Sequence, residues 1–307
     1  MQKSAYYDIK FSLFTREMRM EMADYIRRDN LDVVNKQCVE AHPRDTFYVR
    51  YGKRALDIVV GGCAFIVTLP INAVIGVCTF FDVGRPVLFK MQRPGKDGVP
   101  FTLVKFRNMR DERDKNGDLL LGNQRVTKFG KIMRRTSLDE LMNFWSILKG
   151  DMSIIGPRPL TMGYMERYSK RHVARLAVRP GLECPILNTE SHRYTWDEQF
   201  ENDVWYVENI SFITDIKMCI GLVKLAFSKK ATKTRSSAAK RGFMGYDKNG
   251  KTISLDTVPE KYLDEALANH IDEMDTTKYR FFREFSPEVN GEVIGVKVLT
   301  CITKDIA

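Results

Sequence analysis

The chain has 307 residues, enough for one large domain, or a domain with appendages, around a real hydrophobic core. Its 49 lysines and arginines against 39 acidic residues leave a formal charge of +10, which favours an anionic partner: phospholipid, nucleotide or nucleic acid. Six cysteines without CxxC spacing and four scattered histidines exclude a zinc site and read as reduced, structural side chains in a cytosolic setting.

Residues 1–50 lack the apolar core that a signal peptide needs. From Phe11 to Val34 the chain is charged with a helical period, Phe14, Met18, Met22 and Tyr25 recurring three to four apart. A packed helix and a surface-lying or partner-binding helix are both open here. From Ile58 to Phe81 there are 24 residues without a charge, enough to reach across a hydrocarbon core of about 30 Å. Pro70 lies in the middle, where proline removes a helix hydrogen bond and kinks the axis. Lys53 and Arg54 precede this run, and Arg85, Lys90 and Arg93 follow it. Basic residues on both flanks satisfy the positive-inside rule when both ends lie on the cytoplasmic side. A helix broken near Pro70, entering and leaving by one face, meets that condition.

Lys96 to Gly98 reads as a turn, and Phe101 to Arg107 alternates like a short strand carrying Lys105 and Arg107 on one face. The acidic cluster from Asp111 to Asp114 reads as a solvated, turn-flanking charge run and stays outside the candidate site. The chemistry concentrates between Arg134 and Pro159, RRTSLDELMNFWSILKGDMSIIGPRP. Ser137 to Glu140 fits a capping box, and acidic residues suit a helix start, so a bare helix N-terminus is one reading. Leu138, Leu141, Met142, Trp145 and Leu148 then predict one helix over Ser137–Leu148, with Asp139 and Glu140 about 100° apart at its start. Arg134 before the pair and Arg158 in a rigid Pro-Arg-Pro segment after it bracket two carboxylates with two guanidiniums, which suits phosphate.

Met162 to Ala177 reads as an Arg-rich helix whose Arg167, Arg171 and Arg175 form a basic stripe towards solvent or lipid headgroups. Phe212 to Phe227 is amphipathic, with Lys217 and Lys224 set against Ile213, Ile216 and Ile220, and with Trp205 and Tyr206 just upstream. An interfacial helix is the reading adopted, a plain core helix the alternative. Residues 231–241 are a basic linker, and 242–307 a small α+β appendage, helical over Val258–Met274 and strand-like over Gly291–Ile302.

Thr136 to Leu141 (TSLDEL), Leu148 to Ser153 (LKGDMS) and Gly156 to Pro159 (GPRP), at these spacings, resemble the bacterial sugar transferase family, the monotopic polyprenyl-phosphate phosphoglycosyl transferases. The similarity runs from about Tyr51 to about Phe227. It implies a mostly helical α+β monotopic membrane protein with a re-entrant membrane helix at about 55–82, short strands and surface amphipathic helices. The domain reading is an N-terminal extension (1–50), a phosphoglycosyl transferase domain (51–230), the linker and the appendage. The resemblance further implies transfer of a sugar 1-phosphate from a UDP-sugar to polyprenyl (undecaprenyl) phosphate, releasing UMP through a covalent intermediate on Asp139, with Mg²⁺ held by Glu140. Lys105, Arg134, Arg158 and Arg179 are the implied phosphate and substrate contacts, and Pro70 the membrane break. It places the protein on the cytoplasmic face of the bacterial inner membrane among phospholipid, with no nucleic acid, and leaves homo-oligomer formation open. After Arg179-Pro-Gly181 the chain departs from the family's Gly-Trp-Ala-Gln run and its following Asn-Gly-Arg, with Arg193 a displaced substitute, so donor recognition is the part least covered. A catalytically idle membrane scaffold of the same fold is the alternative, and a nucleic-acid-binding protein has only the net charge in its favour.

Overall fold

The computed structural model describes residues 16–113, 122–185, 195–227, 242–270, 283–285 and 296–298. The linker 231–241, Arg193, Phe14 and most of the altered stretch after Gly181 lie outside them. The chain divides into two units, residues 39–240 and residues 1–38 with 241–307.

In the larger unit a turn at Tyr48–Gly52 leads into helix α2, Lys53–Val83, with Pro70 inside it (α1 belongs to the smaller unit). It is the one helix among the described residues long and apolar enough to cross a membrane. Helical assignment runs through Pro70, whose missing N–H leaves a carbonyl one turn earlier without its helix donor. Both ends of α2 are tied to the unit. Near its start, Arg54 donates to the carbonyls of Ile147 (2.6 Å) and Leu148 (2.8 Å), and Asp57 Oδ1 accepts from Ser153 Oγ (2.9 Å) and the Ile154 N–H (3.1 Å). Gly61 allows a close helix crossing, since a Cβ there would sit 2.7 Å from Ile147 Cγ2. Near its end, Ile75 packs with Phe106 and Met133, and Arg107 donates to the carbonyls of Val83 and Arg85. Between these anchorages the apolar surface is bare: Ile66 is 67% and Val67 70% exposed.

Strands β1 (Leu88–Pro94) and β2 (Pro100–Phe106) form an antiparallel hairpin through the expected Lys96–Gly98 turn, with Asp97 and Gly98 at positive φ. Helices α3 (Lys128–Thr136) and α4 (Asn143–Lys149) follow, then β3 (Ser153–Ile155) pairing in parallel with β4 (Gly181–Glu183). Helix α5 (Trp196–Asn209) starts on a capping box at Thr195 and leads to α6 (Phe212–Phe227). Ile147, Met152, Ile155, Tyr206, Val207 and Met218 are the centre of the core.

The plain core-helix alternative for 212–227 fails. Helix α6 buries Asp215 and Met218, while Phe212, Ile213, Ile216, Ile220 and Val223 are exposed. Its carboxylate points inward and its isoleucines outward, a reversal that water alone does not favour. The Arg-rich stripe needs correction too. Residues 162–177 form two short 3₁₀ helices, Met162–Arg167 and His172–Leu176, so the four-residue spacing does not align their side chains. Arg175 is buried, donating to Asp203 Oδ2 (2.8 and 3.0 Å), Tyr168 Oη (3.0 Å) and the Arg158 carbonyl (2.9 Å). Arg167 is buried as well, and Arg171 forks onto Glu201.

In the smaller unit, α1 (Arg16–Gln37) packs Met18, Met22, Ala23 and Ile26 against residues that follow the linker, Met244, Ile253, Tyr262 and Leu263 among them. These belong to the hairpin β5–β6 (Phe243–Tyr246, Thr252–Ser254) and helix α7 (Glu260–His270). Asn30 donates to the Tyr246 carbonyl (2.9 Å) and Tyr262 Oη (3.1 Å), so segments from the two ends of the chain share one core. The open choice for the first helix thus resolves to a packed one.

The base of α2 rests on one buried carboxylate: Asp215 accepts from Lys53 Nζ (2.9 Å), Tyr48 Oη (2.6 Å) and Tyr206 Oη (2.7 Å). Lys53→Met removes the cation and is expected to destabilise the unit by about 3–5 kcal/mol, because an uncompensated charge stays buried. Denaturant unfolding in detergent reads this, and an unchanged midpoint contradicts it.

Candidate functional site

The candidate residues meet because a helix ends where one was expected to begin. Helix α3 is capped at its start by Thr127 Oγ1, which accepts from the Gly130 N–H (2.8 Å), and stops at Ser137. Ser137 adopts left-handed φ/ψ (58°, 22°), and its side chain makes no cap hydrogen bond to the turn that follows. The predicted single helix over Ser137–Leu148 is therefore two pieces: a 3₁₀ turn, Leu138–Glu140, and α4 from Asn143. A non-glycine residue in the left-handed region costs roughly 1–2 kcal/mol. That strain aims the two carboxylates away from any one helix face.

Asp139 and Glu140 have different surroundings. Asp139 is 4% exposed, and its Oδ2 accepts from Asn108 Nδ2 (2.8 Å), while Asn108 Oδ1 accepts from Arg134 Nε (3.1 Å). Arg134 thus reaches Asp139 through an amide. Burial raises the Asp139 pKa above the ordinary carboxylate value, and the neighbouring Glu140 charge raises it further, with Lys105 opposing. Glu140 instead pairs with Arg158 Nη2, while Arg158 Nη1 donates to the Leu182 carbonyl (3.1 Å) and lies 3.8 Å from Glu183. The Glu140 charge, before all else, raises the Arg158 pKa. Burial lowers the pKa of Lys105, near the end of β2, although both carboxylates and the arginines act on it with opposite signs. Carboxylate up and ammonium down are the signs of a shared, dehydrated site.

These groups line a cleft of about 830 Å³ that includes Lys105, Arg134, Asp139, Glu140, Arg158 and, from α6, Leu222. That size suits a nucleotide-scale ligand. The remaining candidates lie elsewhere. Arg179 donates to the Gly150 carbonyl (2.8 Å) at the end of α4 and does not line the cleft, and Pro70 is inside α2. Lys105 and Arg107, expected on one face, diverge, since Arg107 is spent on the end of α2. Asn108, which positions Asp139, escaped the sequence reading, because a single asparagine after a strand carries no motif of its own. No group of three or more His, Cys, Asp or Glu side chains with metal-site spacing occurs among the described residues. Glu140 nonetheless keeps one oxygen outside its pair with Arg158, and Asp139 and Glu183 share its cleft. Mg²⁺ is usually held by one or two carboxylates plus substrate phosphates, so this oxygen set fits it.

Residues 48–229 match the model of the bacterial sugar transferase family. Among known proteins, the chain is 43% identical over 160 residues to the Bacillus subtilis sugar transferase EpsL, covering 52% of this chain and 79% of that protein. It is 33% identical over 218 residues to the galactosyl transferase CpsE of Streptococcus agalactiae, covering 64% and 48%. It is 35% identical over 183 residues to the UDP-glucose:undecaprenyl-phosphate glucose-1-phosphate transferase of Escherichia coli, covering 54% and 39%. The chain therefore spans less than half the length of the latter two relatives.

The raised Asp139 pKa has a sign that can be tested. The folded state holds this proton more tightly than the unfolded chain, so the stability it contributes is full below about pH 4 and lost as pH rises through the raised folded value. Above that value the ionised carboxylate is a burden. Asp139→Asn is expected to raise the unfolding midpoint at pH 7, with the gain shrinking towards pH 4. A midpoint lowered at pH 7 contradicts the burial effect.

Proposed function

Since the chain belongs to the bacterial sugar transferase family, we propose that it transfers a sugar 1-phosphate from a UDP-sugar to polyprenyl phosphate, releasing UMP. The observation that carries this reading is the buried Asp139 in a cleft with Lys105, Arg134 and Arg158, beside the apolar helix α6. Attack of one anion on another requires neutralised phosphate oxygens and a desolvated nucleophile. Lys105, Arg134 and Arg158 supply the first, and burial of Asp139 the second.

In the forward step an Asp139 oxygen bonds to the sugar-side phosphorus, and the bond to the bridging oxygen breaks. The electron pair leaves on UMP, and an aspartyl-phosphosugar remains. Polyprenyl phosphate then attacks the same phosphorus, expelling the Asp139 carboxylate and giving polyprenyl-diphosphate sugar. Asn108 holds the Asp139 carboxylate in place throughout. Glu140 would hold Mg²⁺, which supplies charge neutralisation at the diphosphate.

A lipid acceptor needs the cleft at headgroup level. Three observations support a re-entrant α2 on the cytoplasmic face: both its ends are anchored in one unit, basic residues flank both, and its middle is bare. The outward row of α6 and the half-exposed Trp145 and Trp205 suit the same interface.

Incubation in detergent with Mg²⁺, polyprenyl phosphate and a panel of UDP-sugars should release UMP, and Asp139→Asn should lower the rate at least ~10³-fold. UDP as the product would mean a different transfer. For the membrane path, cysteines placed at Tyr51 and Arg85 should both resist a membrane-impermeant maleimide added outside spheroplasts and both react once the membrane is opened. Labelling of one from outside contradicts re-entry.

A further inference from the structure

A smaller pocket of about 110 Å³ adjoins the cleft and shares Lys105, Glu140 and Arg158 with it. Two of its own lining residues have no part in the reaction as described: Arg93 on β1 and Asn143 at the start of α4. Arg93 is half-buried, and its hydrogen bond runs from Nε to Met91 Sδ (3.1 Å), a weak acceptor. Its two Nη groups have no protein acceptor among the described residues, and no carboxylate forms an ion pair with it. The nearby Glu140 is already engaged by Arg158, and Arg158 itself repels a second guanidinium. Asn143 is 4% exposed, and its buried Oδ1 has no donor among the described residues.

A guanidinium drawn out of water without an anion, and a buried amide oxygen without a donor, are each unfavourable on their own. Together on one pocket wall they ask for a ligand with an anionic group and a donor. Lys105, Arg93 and Arg158 line this pocket against the single carboxylate of Glu140, so the excess charge there is positive. We propose that this pocket, opening on the cleft, receives part of the leaving nucleotide that the cleft holds: Arg93 takes the nucleoside-side phosphate, and Asn143 Oδ1 accepts from a nucleoside N–H or O–H group. The inference rests on the reaction proposed above. When Asp139 bonds to the sugar-side phosphorus, negative charge grows on the departing phosphate, and Arg93 meets that charge as Arg158 and Lys105 meet the phosphate that stays.

Equilibrium binding of UMP and of inorganic phosphate to the full chain in detergent tests this without turnover. Arg93→Ala is expected to weaken UMP binding roughly tenfold or more, as loss of a charge-assisted bond does, with Arg93→Lys recovering part. Asn143→Leu should weaken UMP while leaving inorganic phosphate unchanged. Unfolding midpoints of the variants identify any that fail to fold. UMP binding equal in wild type and Arg93→Ala, or absent from wild type, overturns the subsite. UMP release that depends on Asp139 alongside unaltered binding to Arg93→Ala removes the subsite and keeps the reaction. Arg93-dependent UMP binding in a protein that releases no UMP from any UDP-sugar keeps the subsite and removes the reaction.

Discussion

The buried Asp215 carboxylate decides how the apolar helix sits on the rest of its unit. It takes a lysine from the first turn of α2, a tyrosine from the turn before it and a tyrosine from α5, while itself belonging to α6. The entry to α2, far earlier in the chain, thus shares one acceptor with the end of α5. A buried ion pair is poor evidence of net stability, because dehydrating both charges offsets their attraction. Its contribution here is geometric. With Lys53 held there and Arg54 and Asp57 fastened to α4 and β3 within the next turn, the direction in which α2 leaves the unit is set before its apolar run begins. The outward apolar row of α6 is fixed by the same carboxylate, since burying Asp215 turns Ile213, Ile216 and Ile220 out. One polar contact therefore orients both surfaces that a bilayer would cover.

The site depends on a second constraint, the left-handed residue at Ser137. A continuous helix would give adjacent acidic residues similar surroundings on one solvated turn. The break gives them opposite ones. Asp139 falls among Asn108, Lys105 and apolar neighbours, where dehydration raises its proton affinity, and Glu140 falls against the Arg158 guanidinium. Two chemically similar side chains thereby take distinct settings, one held by an amide and the other by a guanidinium, and the proposed reaction rests on that difference.

Much of this was legible before the fold. Arg134, Asp139, Glu140 and Arg158 share one short stretch, so their proximity was readable from spacing, and the charge-free run from Ile58 announced a helix by length alone. What could not be read depends on residues far apart. Ser137 to Glu140 fits a capping box by type, yet Ser137 is left-handed, and Leu138 and Leu141 after it pack on the cluster of Ile75, Phe106 and Met133, contacts that no local pattern shows. Arg175 looked like part of a surface stripe because its partner Asp203 comes 28 residues later on another helix. Arg179 carries a motif and turns out to close the end of α4.

The net charge of +10 therefore means less, and more, than it first did. Arg54, Arg107, Arg175 and Arg179 all donate to backbone carbonyls, three of them at or beside a helix end, where unpaired carbonyls need donors. Those charges are engaged within the fold. Set apart from them, Arg93 has no acid paired with it among the described residues, Arg134 rests on an amide, and Lys105 is partly dehydrated between two carboxylates, all three on the walls of the cleft or its adjoining pocket. Arg158 adds a fourth cation there, with Glu140 already taken. Positive charge left unneutralised inside a folded chain is unfavourable unless something outside it completes the balance. A diphosphate, carrying its charge on adjacent phosphates, matches two adjoining cavities that are each short of an anion.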